Sequence, residues 1–452
     1  MIDANPSSRR VVEDATCLGC ACLCDDIGVV VEGDRIVEAT RACSLGRSWY
    51  GSGTIAAEPV VSLGGRPADL EAAMGRAAQI LADARAAVVL GLGAATIEAQ
   101  RHAVAIADRI GAVVGGTAEG RAGLAAYQRV GMVGATLGEV RDRADLVVYA
   151  SESWPRALPR LVERFIDPPG RFVPEGRAGR TVVRLGEPAA SAAPGEADDD
   201  PVDLTVSYRR SDDVKILLTL RALLDGASLD PAAVERSTGV PLKDLGDLAD
   251  RMKRARYGAV FVAPSCRSSA ADEAMLMLVR DLNRFTRFVA VRPTRDGANV
   301  AGAASVLAWQ AGAAGDVDFA LGYPRHLPRE GAIERLERGE ADAALLVGEI
   351  DGLGETSVAT ARLAAIPRVA ILPDARSSVD EGGRSMPVRD SLANSDVFIP
   401  TARPAIDEAG TVARFDGVML PLRPPFPGRR VSQVEVLRGI EDRIRARQDA
   451  RR

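Results

Sequence analysis

Five of the six cysteines of this chain lie between positions 17 and 43, in the run Cys17-Leu18-Gly19-Cys20-Ala21-Cys22-Leu23-Cys24 and at Cys43. Taken as C-x2-C-x3-C with a distant fourth, Cys17, Cys20, Cys24 and Cys43 offer four thiolates, the number that a [4Fe-4S] cube takes up. Cys22 is then a spare. A four-thiolate zinc site uses the same ligands at similar spacing, and reduced, unmetallated cysteines in a small core are the third reading. Structural disulfides are disfavoured, because the polar start Met1-Ile2-Asp3-Ala4-Asn5-Pro6 has no apolar segment of a signal peptide and the expected compartment is the reducing cytoplasm.

Other residues carry weaker chemical signals. Leu90-Gly91-Leu92-Gly93-Ala94-Ala95 is a strand running into a glycine turn ahead of a helix, where backbone N–H groups can receive a phosphate. The third glycine of a dinucleotide fingerprint is absent, Thr96 standing in its place, so close packing of strand on helix explains the turn equally well. The two histidines, His102 and His326, are too few for a His-rich metal or acid–base site, and both are expected to be structural or surface residues. Cys266, after a strand, lacks a histidine partner to make it a nucleophile. Asp25-Asp26 and Asp380-Glu381 read as solvated turn residues.

To assemble the cysteine set, the chain must fold back between positions 24 and 43. The alternating run Ile27 to Val37 does so as a hairpin around Glu32-Gly33-Asp34. From Ala86 the texture changes to apolar strands alternating with amphipathic helices: Val88-Val89-Leu90, a helix from about Thr96 to Ile110, Val113-Val114 and Leu146 to Tyr149. That alternation predicts a parallel sheet covered by helices. A Ser/Ala/Pro/Gly and acidic stretch from Gly186 to Asp203 reads as a surface linker. Beyond it βα texture resumes, with strands at Ala259 to Ala263 and Phe288 to Val291. Further strands at Ala344 to Val347, Val369 to Leu372 and Val397 to Ile399 could return to the first sheet. The expected organisation is a cysteine-bearing lobe over 1–60, a first α/β lobe over 61–185 completed by 345–405, a second over 205–340, and a C-terminal segment over 406–452.

With 452 residues the chain is long enough for roughly two to four compact lobes. Its 57 basic and 62 acidic residues give a net charge of -5, which favours neither nucleic acid nor an anionic membrane as partner. No apolar run approaches the roughly 20 residues that span a bilayer. Nearly all the basic charge is arginine, the lysines being Lys215, Lys243 and Lys253, a bias that fits a GC-rich genome rather than a function.

The run Cys17 to Ile27, with Ala42-Cys43-Ser44-Leu45-Gly46, resembles the start of the B subunit of formylmethanofuran dehydrogenase. The likeness continues in order through Glu98-Ala99-Gln100-Arg101, Thr136 to Val140, Trp309, Gly322-Tyr323-Pro324-Arg325, and Ala409 to Val418. It implies an α/β, molybdopterin-oxidoreductase-like fold: a small cysteine-bearing lobe and two Rossmann-like parallel-sheet lobes. In that family the B subunit carries an iron–sulfur cluster and a tungsten or molybdenum bis-pterin centre that interconverts carbon dioxide and formate.

The departures matter as much. Where the family has a Cys-His-Gly segment whose cysteine binds the metal, this chain reads Gly116-Thr117-Ala118-Glu119-Gly120-Arg121-Ala122, and neither Ala118 nor Glu119 is a soft ligand. The family's His-Pro-Arg-His run is Leu158-Pro159-Arg160-Leu161, which loses both imidazoles, and its nearby Asn-Pro is Ser153-Trp154-Pro155. No lysine lies near Cys43 to relay charge. Loss of the metal ligand and of the proton carriers resembles the bacterial formyltransferase/hydrolase complex. There an amidohydrolase-like formyl hydrolase and a formyltransferase do the chemistry, and a B-type subunit and a further subunit act as scaffold. The expectation is a non-redox subunit with no molybdopterin or tungstopterin; the competing readings are an active tungsten or molybdenum dehydrogenase and a zinc-stabilised binding module.

Overall fold

The computed structural model describes residues 9–51, 60–115, 118–150, 158–187, 202–262, 268–294, 297–328, 330–348, 357–373 and 395–451, with side chains from 124 onward in the third stretch. Two compact units emerge: residues 1–121, 296–414 and 419–452 form the first, residues 122–295 and 415–418 the second.

The first unit begins with an antiparallel sheet of β1 (Arg9–Ala15), β2 (Ile27–Glu32) and β3 (Arg35–Thr40), with β2 in the middle. All but the last residue of β2 is buried, whereas β3 is largely exposed, so the hairpin lies on the surface and buries its first strand. Glu32 pairs with Arg35, leaving a two-residue turn in which Gly33 takes a φ of 61°, open to glycine at no steric cost.

Nine strands make the main sheet of this unit: β4 (Ser62–Leu63), β5 (Arg66–Pro67), β6 (Ala87–Leu90), β7 (Val113–Val114), β13 (Val317–Asp318), β14 (Arg325–His326), β15 (Ala343–Val347), β16 (Arg368–Pro373) and β17 (Val397–Thr401). β7, β6, β15, β16 and β17 run parallel in that order, with β13–β14 and β4–β5 as antiparallel edges. The central strands are apolar, but for Arg368 at the start of β16, because both faces are covered. Helices α2 (Leu70–Asp83), α3 (Ile97–Ile110), α10 (Val300–Ala311) and α13 (Gln433–Asp449) supply one core; α11 (Ala332–Arg338) and α12 (Val358–Ala364) supply the other. Asp69, Thr96, Ser357 and Ser432 cap four of these helices by accepting from backbone N–H groups in the first turn. Helix α1 (Ser44–Gly51) follows β3 directly.

The second unit is a fully parallel sheet of β8 (Leu146–Ala150), β9 (Thr181–Leu185), β10 (Leu204–Val206), β11 (Tyr257–Val262) and β12 (Arg287–Val291), in the order β10-β9-β8-β11-β12. That is a doubly wound order with β8 first and the chain crossing to either side of it. Helices α4 (Ala118–Val130, from residue 122 onward), α5 (Leu137–Arg143), α6 (Asp213–Leu224), α7 (Pro231–Thr238), α8 (Leu242–Arg254) and α9 (Ser269–Leu282) belong to this unit, with α6, α8 and α9 in its core.

The boundaries differ from those expected. β8 and β9, expected within 61–185 of the first lobe, pair in the second sheet, and β13 and β14, expected within 205–340, pair in the first. The C-terminal stretch joins the first unit too: Val436, Leu437, Ile440 and Ile444 are fully buried in its core, and β18 (Gly410–Ala413) and β19 (Met419–Leu422) form a hairpin. The reason is physical. Short apolar strands ahead of helices look alike in sequence, and the sheet that each joins is set by pairing with strands far away in the chain. Of the expected linker, 188–201 lies outside the described residues, and Asp203 anchors its far end by accepting from Val182 N (2.7 Å) and from Arg177 (3.1 Å).

Candidate functional site: a buried cysteine cluster

The cysteine run forms a tight loop. The N–H of Cys17 donates to the Cys24 carbonyl (2.8 Å) and that of Leu23 to the Cys20 carbonyl (3.2 Å), with Leu23 held in the left-handed region at φ 43°. The hairpin returns the chain so that Cys43 stands at the start of α1, its carbonyl accepting from Arg47 N (2.8 Å). Two glycines let α1 and the loop meet. A Cβ on Gly46 would sit 3.2 Å from the Cys17 sulfur and 3.9 Å from the Cys43 sulfur, and one on Gly19 would sit 2.7 Å from the Leu45 carbonyl oxygen. Tyr50 closes the back of the site, fully buried and donating to the Thr16 carbonyl (3.0 Å).

Cys17, Cys22 and Cys24 are buried and Cys20 and Cys43 half-buried, and all five are free thiols. Burial pushes the Cys20 thiol up to about 12 and Cys17 higher still. Mutual repulsion adds to both, since Cys20, Cys24 and Cys43 all act on Cys17. Cys20, Cys24 and Cys43 thus all lie within electrostatic reach of Cys17. Against burial work backbone N–H groups aimed at sulfur: Gly19 N donates to Cys17 Sγ (3.3 Å), and Cys22 N hydrogen-bonds Cys20. Such bonds stabilise thiolate over thiol.

Among the described residues, no group of three or more His, Cys, Asp or Glu side chains converges as a single ion demands; a zinc tetrahedron needs sulfurs roughly 3.8 Å apart, from Zn–S bonds of about 2.3 Å. An iron–sulfur cube takes four thiolates, the number that Cys17, Cys20, Cys24 and Cys43 supply, and one N–H group is directed at the Cys17 sulfur. Gly19, Gly46 and Tyr50 escaped sequence reasoning as parts of this site. A glycine beside each cysteine segment was the available signal for the first two, and Tyr50 carried none.

The remaining candidates fall out differently. In the glycine turn, Ala95 and Thr96 are fully buried. Asn299 donates to the Gly93 and Ala95 carbonyls (2.8 and 2.7 Å), and Gln100 donates to the Leu92 carbonyl (2.8 Å). The carboxylate of Glu98, at the start of α3, accepts from Thr411 N (3.0 Å). A filled turn with a carboxylate at the helix start is packing, not a phosphate cradle. His102 bonds Glu441 (2.9 Å) between α3 and α13, and His326 lies in β14 opposite Val317. Leu158 and Leu161, standing where the family has imidazoles, are 1% and 0% exposed, and Arg160 donates to Glu163 (2.5 Å). Buried leucines cannot carry protons. The side chains of 116–122, the segment Ser153-Trp154-Pro155, Cys266 and Asp380-Glu381 lie outside the described residues.

Two helix-covered sheets, one parallel and one mixed, with a cysteine-bearing lobe ahead of them in the chain make a molybdopterin-oxidoreductase-like α/β fold. Acetylene hydratase from Pelobacter acetylenicus shares that fold, with a TM-score of 0.62 at 10% identity over 97% of this chain and 70% of that one. A chain of the formyltransferase/hydrolase complex FhcABCD from Methylorubrum extorquens, solved in complex with methylofuran, matches at a TM-score of 0.67 and 26% identity, over 86% of this chain and 99% of that one. No protein-family model matches the chain. In sequence, the B subunit of tungsten-containing formylmethanofuran dehydrogenase 2 of Methanocaldococcus jannaschii is 30% identical over 448 residues, 94% of this chain and 98% of the relative. The B subunit of the formyltransferase/hydrolase complex Fhc of Methylorubrum extorquens is 30% identical over 294 residues, 63% of this chain and 74% of the relative. The chain belongs to the family of formylmethanofuran dehydrogenase B subunits.

Proposed function

We propose that this chain is a non-redox structural subunit of a formyltransferase/hydrolase complex. The complex transfers formyl between tetrahydromethanopterin and a methanofuran-type coenzyme and releases formate in one-carbon oxidation. The observation that carries the reading is the pair Leu158 and Leu161, both buried where the family's proton-handling imidazoles stand. Together with Gly116 to Ala122, which contains no thiolate, it removes both the soft metal ligand and the proton path that redox chemistry on formate needs. The likeness to a chain of FhcABCD supports partner subunits; in this reading they are an amidohydrolase-like formyl hydrolase, a formyltransferase and a further scaffold subunit, and the compartment is the cytoplasm.

Cys17, Cys20, Cys24 and Cys43 would hold a [4Fe-4S] cluster, which when bound supplies a covalent cross-link of the N-terminal lobe. The residues themselves fold the loop onto α1, exclude water and aim N–H groups at sulfur. A second reading, an active tungsten or molybdenum dehydrogenase, is favoured by the length of the match to the tungsten-containing relatives. Elemental analysis of the natively purified complex separates the two: formyl transfer with no stoichiometric molybdenum or tungsten is expected, and one metal per chain with formate-dependent dye reduction would establish the second reading.

A further inference from the structure

The second unit's sheet is parallel, so β8, β9, β11 and β12 all start at one edge, opposite the edge where open α/β sheets bind ligands. That starting edge is crowded with cations. Arg143 ends α5 and Arg254 ends α8, while Arg171, Arg256 and Arg287 stand in connections or at strand starts. Hydrogen bonds join these pieces into one surface. Phe172 N donates to the Asp142 carbonyl (2.8 Å), Arg256 to the Asp145 carboxylate (3.1 Å), and the Thr286 hydroxyl to the Arg256 carbonyl (3.2 Å). Arg143 and Arg287 both lie near enough to Tyr257 to act on its hydroxyl.

Within this row stand two exposed phenylalanines, Phe172 at 48% and Phe285 at 47%. Each has two cations over its ring: Arg143 and Arg171 at 4.8 and 5.6 Å from Phe172, Lys253 and Arg284 at 4.9 and 5.4 Å from Phe285. The acids nearby are already engaged, Asp145 by Arg256, Asp225 by Arg284 and Glu139 by the Tyr257 hydroxyl. Arg143, Arg171 and Lys253 have no carboxylate at ion-pair distance among the described residues.

Helix dipoles account for part of this, since cations at the ends of α5 and α8 stabilise those helices whether or not anything binds. They do not account for Arg171 or Arg287, nor for apolar rings left in water between guanidinium groups. Arginine and aromatic side chains together are what the centres of protein interfaces select. We propose that this edge is a docking surface for an acidic face of a partner polypeptide, whose carboxylates meet Arg143, Arg171 and Lys253 while its apolar groups cover Phe172 and Phe285. The inference rests on the reading that the chain works within a complex. A polyphosphate is the less favoured occupant, because a chain of net charge -5 does not draw one in from a distance.

The three lysines make a direct test. Carbodiimide joins amines to carboxylates, and Lys215 and Lys243 are held by Asp212 and Asp247 of the same chain, at 2.7 and 3.0 Å. In the native complex, Lys253 should be found linked to an aspartate or glutamate of another subunit, and the other two lysines within the chain. The double substitution Arg143→Glu with Arg171→Glu should lower the melting temperature of this chain only by the small helix-end contribution of Arg143, which Arg143→Gln alone measures, and release a partner from the size-exclusion peak at about 0.15 M salt. A complex that stays intact with that variant and shows no inter-subunit link at Lys253 refutes the surface alone. A wild-type chain that elutes by itself refutes complex membership as well, and an oligonucleotide released by nuclease, with Lys253 then becoming reactive, replaces the acidic protein with nucleic acid.

Discussion

At the scale of single residues, the cysteine site depends as much on two glycines as on its thiols. A methyl group on Gly19 meets a backbone carbonyl at 2.7 Å, which cannot move without shifting α1, whereas one on Gly46 meets the Cys17 sulfur at 3.2 Å. Overpacking of this kind costs about 1–3 kcal/mol. Gly19→Ala is therefore expected to destabilise more than Gly46→Ala in urea unfolding; equal stability of both variants and wild type would mean that the loop is not held against α1. Replacing Cys17 or Cys43 by serine is expected to lower solubility or assembly and leave formyl transfer by the assembled complex intact, because these residues would fasten a lobe rather than carry electrons. Partners that stay bound while turnover collapses would give the cluster a catalytic role instead.

Two glutamates show what elements do to side chains. Glu441 on α13 accepts from His102 and Arg109 of α3, at 2.9 and 3.1 Å, and although burial alone would raise its pKa, those two bonds hold it below the ordinary range. A depressed carboxyl stabilises the fold above its unfolded pKa of about 4.3 and loses that contribution as pH falls through its folded value. Glu441→Gln should therefore be less stable than wild type at pH 7, with the gap closing towards pH 3, by urea unfolding at each pH. Glu408 runs the other way. Burial pushes it up to about 8, its carboxylate oxygen accepting from Gln433 N (3.1 Å) at the start of α13. Its ionisation therefore opposes folding as pH rises from about 4.3 towards 8. Glu408→Gln, which mimics the protonated acid, is expected to gain stability on wild type between pH 6 and pH 9; a constant difference across that range would show that Glu408 ionises without cost.

Arg180 works on the same scale in the second unit. Its buried guanidinium donates to the carbonyls of Ala144 (3.0 Å), Ile166 (2.6 Å) and Pro168 (2.9 Å), and also to that of Arg141, drawing the ends of α5 and of the 162–166 turn together. Lysine cannot fork to so many acceptors. Arg180→Lys should cost about 2–3 kcal/mol, the magnitude of stranding buried acceptors beside a charge. A variant as stable as wild type would show that the fork is replaceable by water.

For the whole molecule the question is what maintains the surface of this chain. Interfaces of stable complexes bury on the order of 2,000 Å² or more, and a subunit under that constraint keeps its surface. Size-exclusion chromatography of the native protein, with mass spectrometry of the peak, is expected to show the formyl hydrolase, the formyltransferase and a further scaffold subunit eluting with it. A lone monomer, with those subunits elsewhere, would remove the scaffold reading.

Local structure was legible in the sequence where it is strongly patterned: the hairpin with its turn at Gly33, the apolar strands at the centre of both sheets and the helix after Thr96, because periodicity, caps and turn residues act over a few positions; the short edge strands and most of the helices were not read. The lost metal ligand and the leucines at 158 and 161 were legible too, as departures from a family pattern. What only the tertiary structure decided is which strands share a sheet. β6 lies beside β15, some two hundred and fifty positions later, and β8 beside β11. It also decided that the glycine turn is filled by Asn299 and Gln100, and that cations scattered from Arg143 to Arg287 lie along one edge. Apolar strands pair indifferently by type, so such partnerships depend on packing summed over the whole core rather than on any short run of residues.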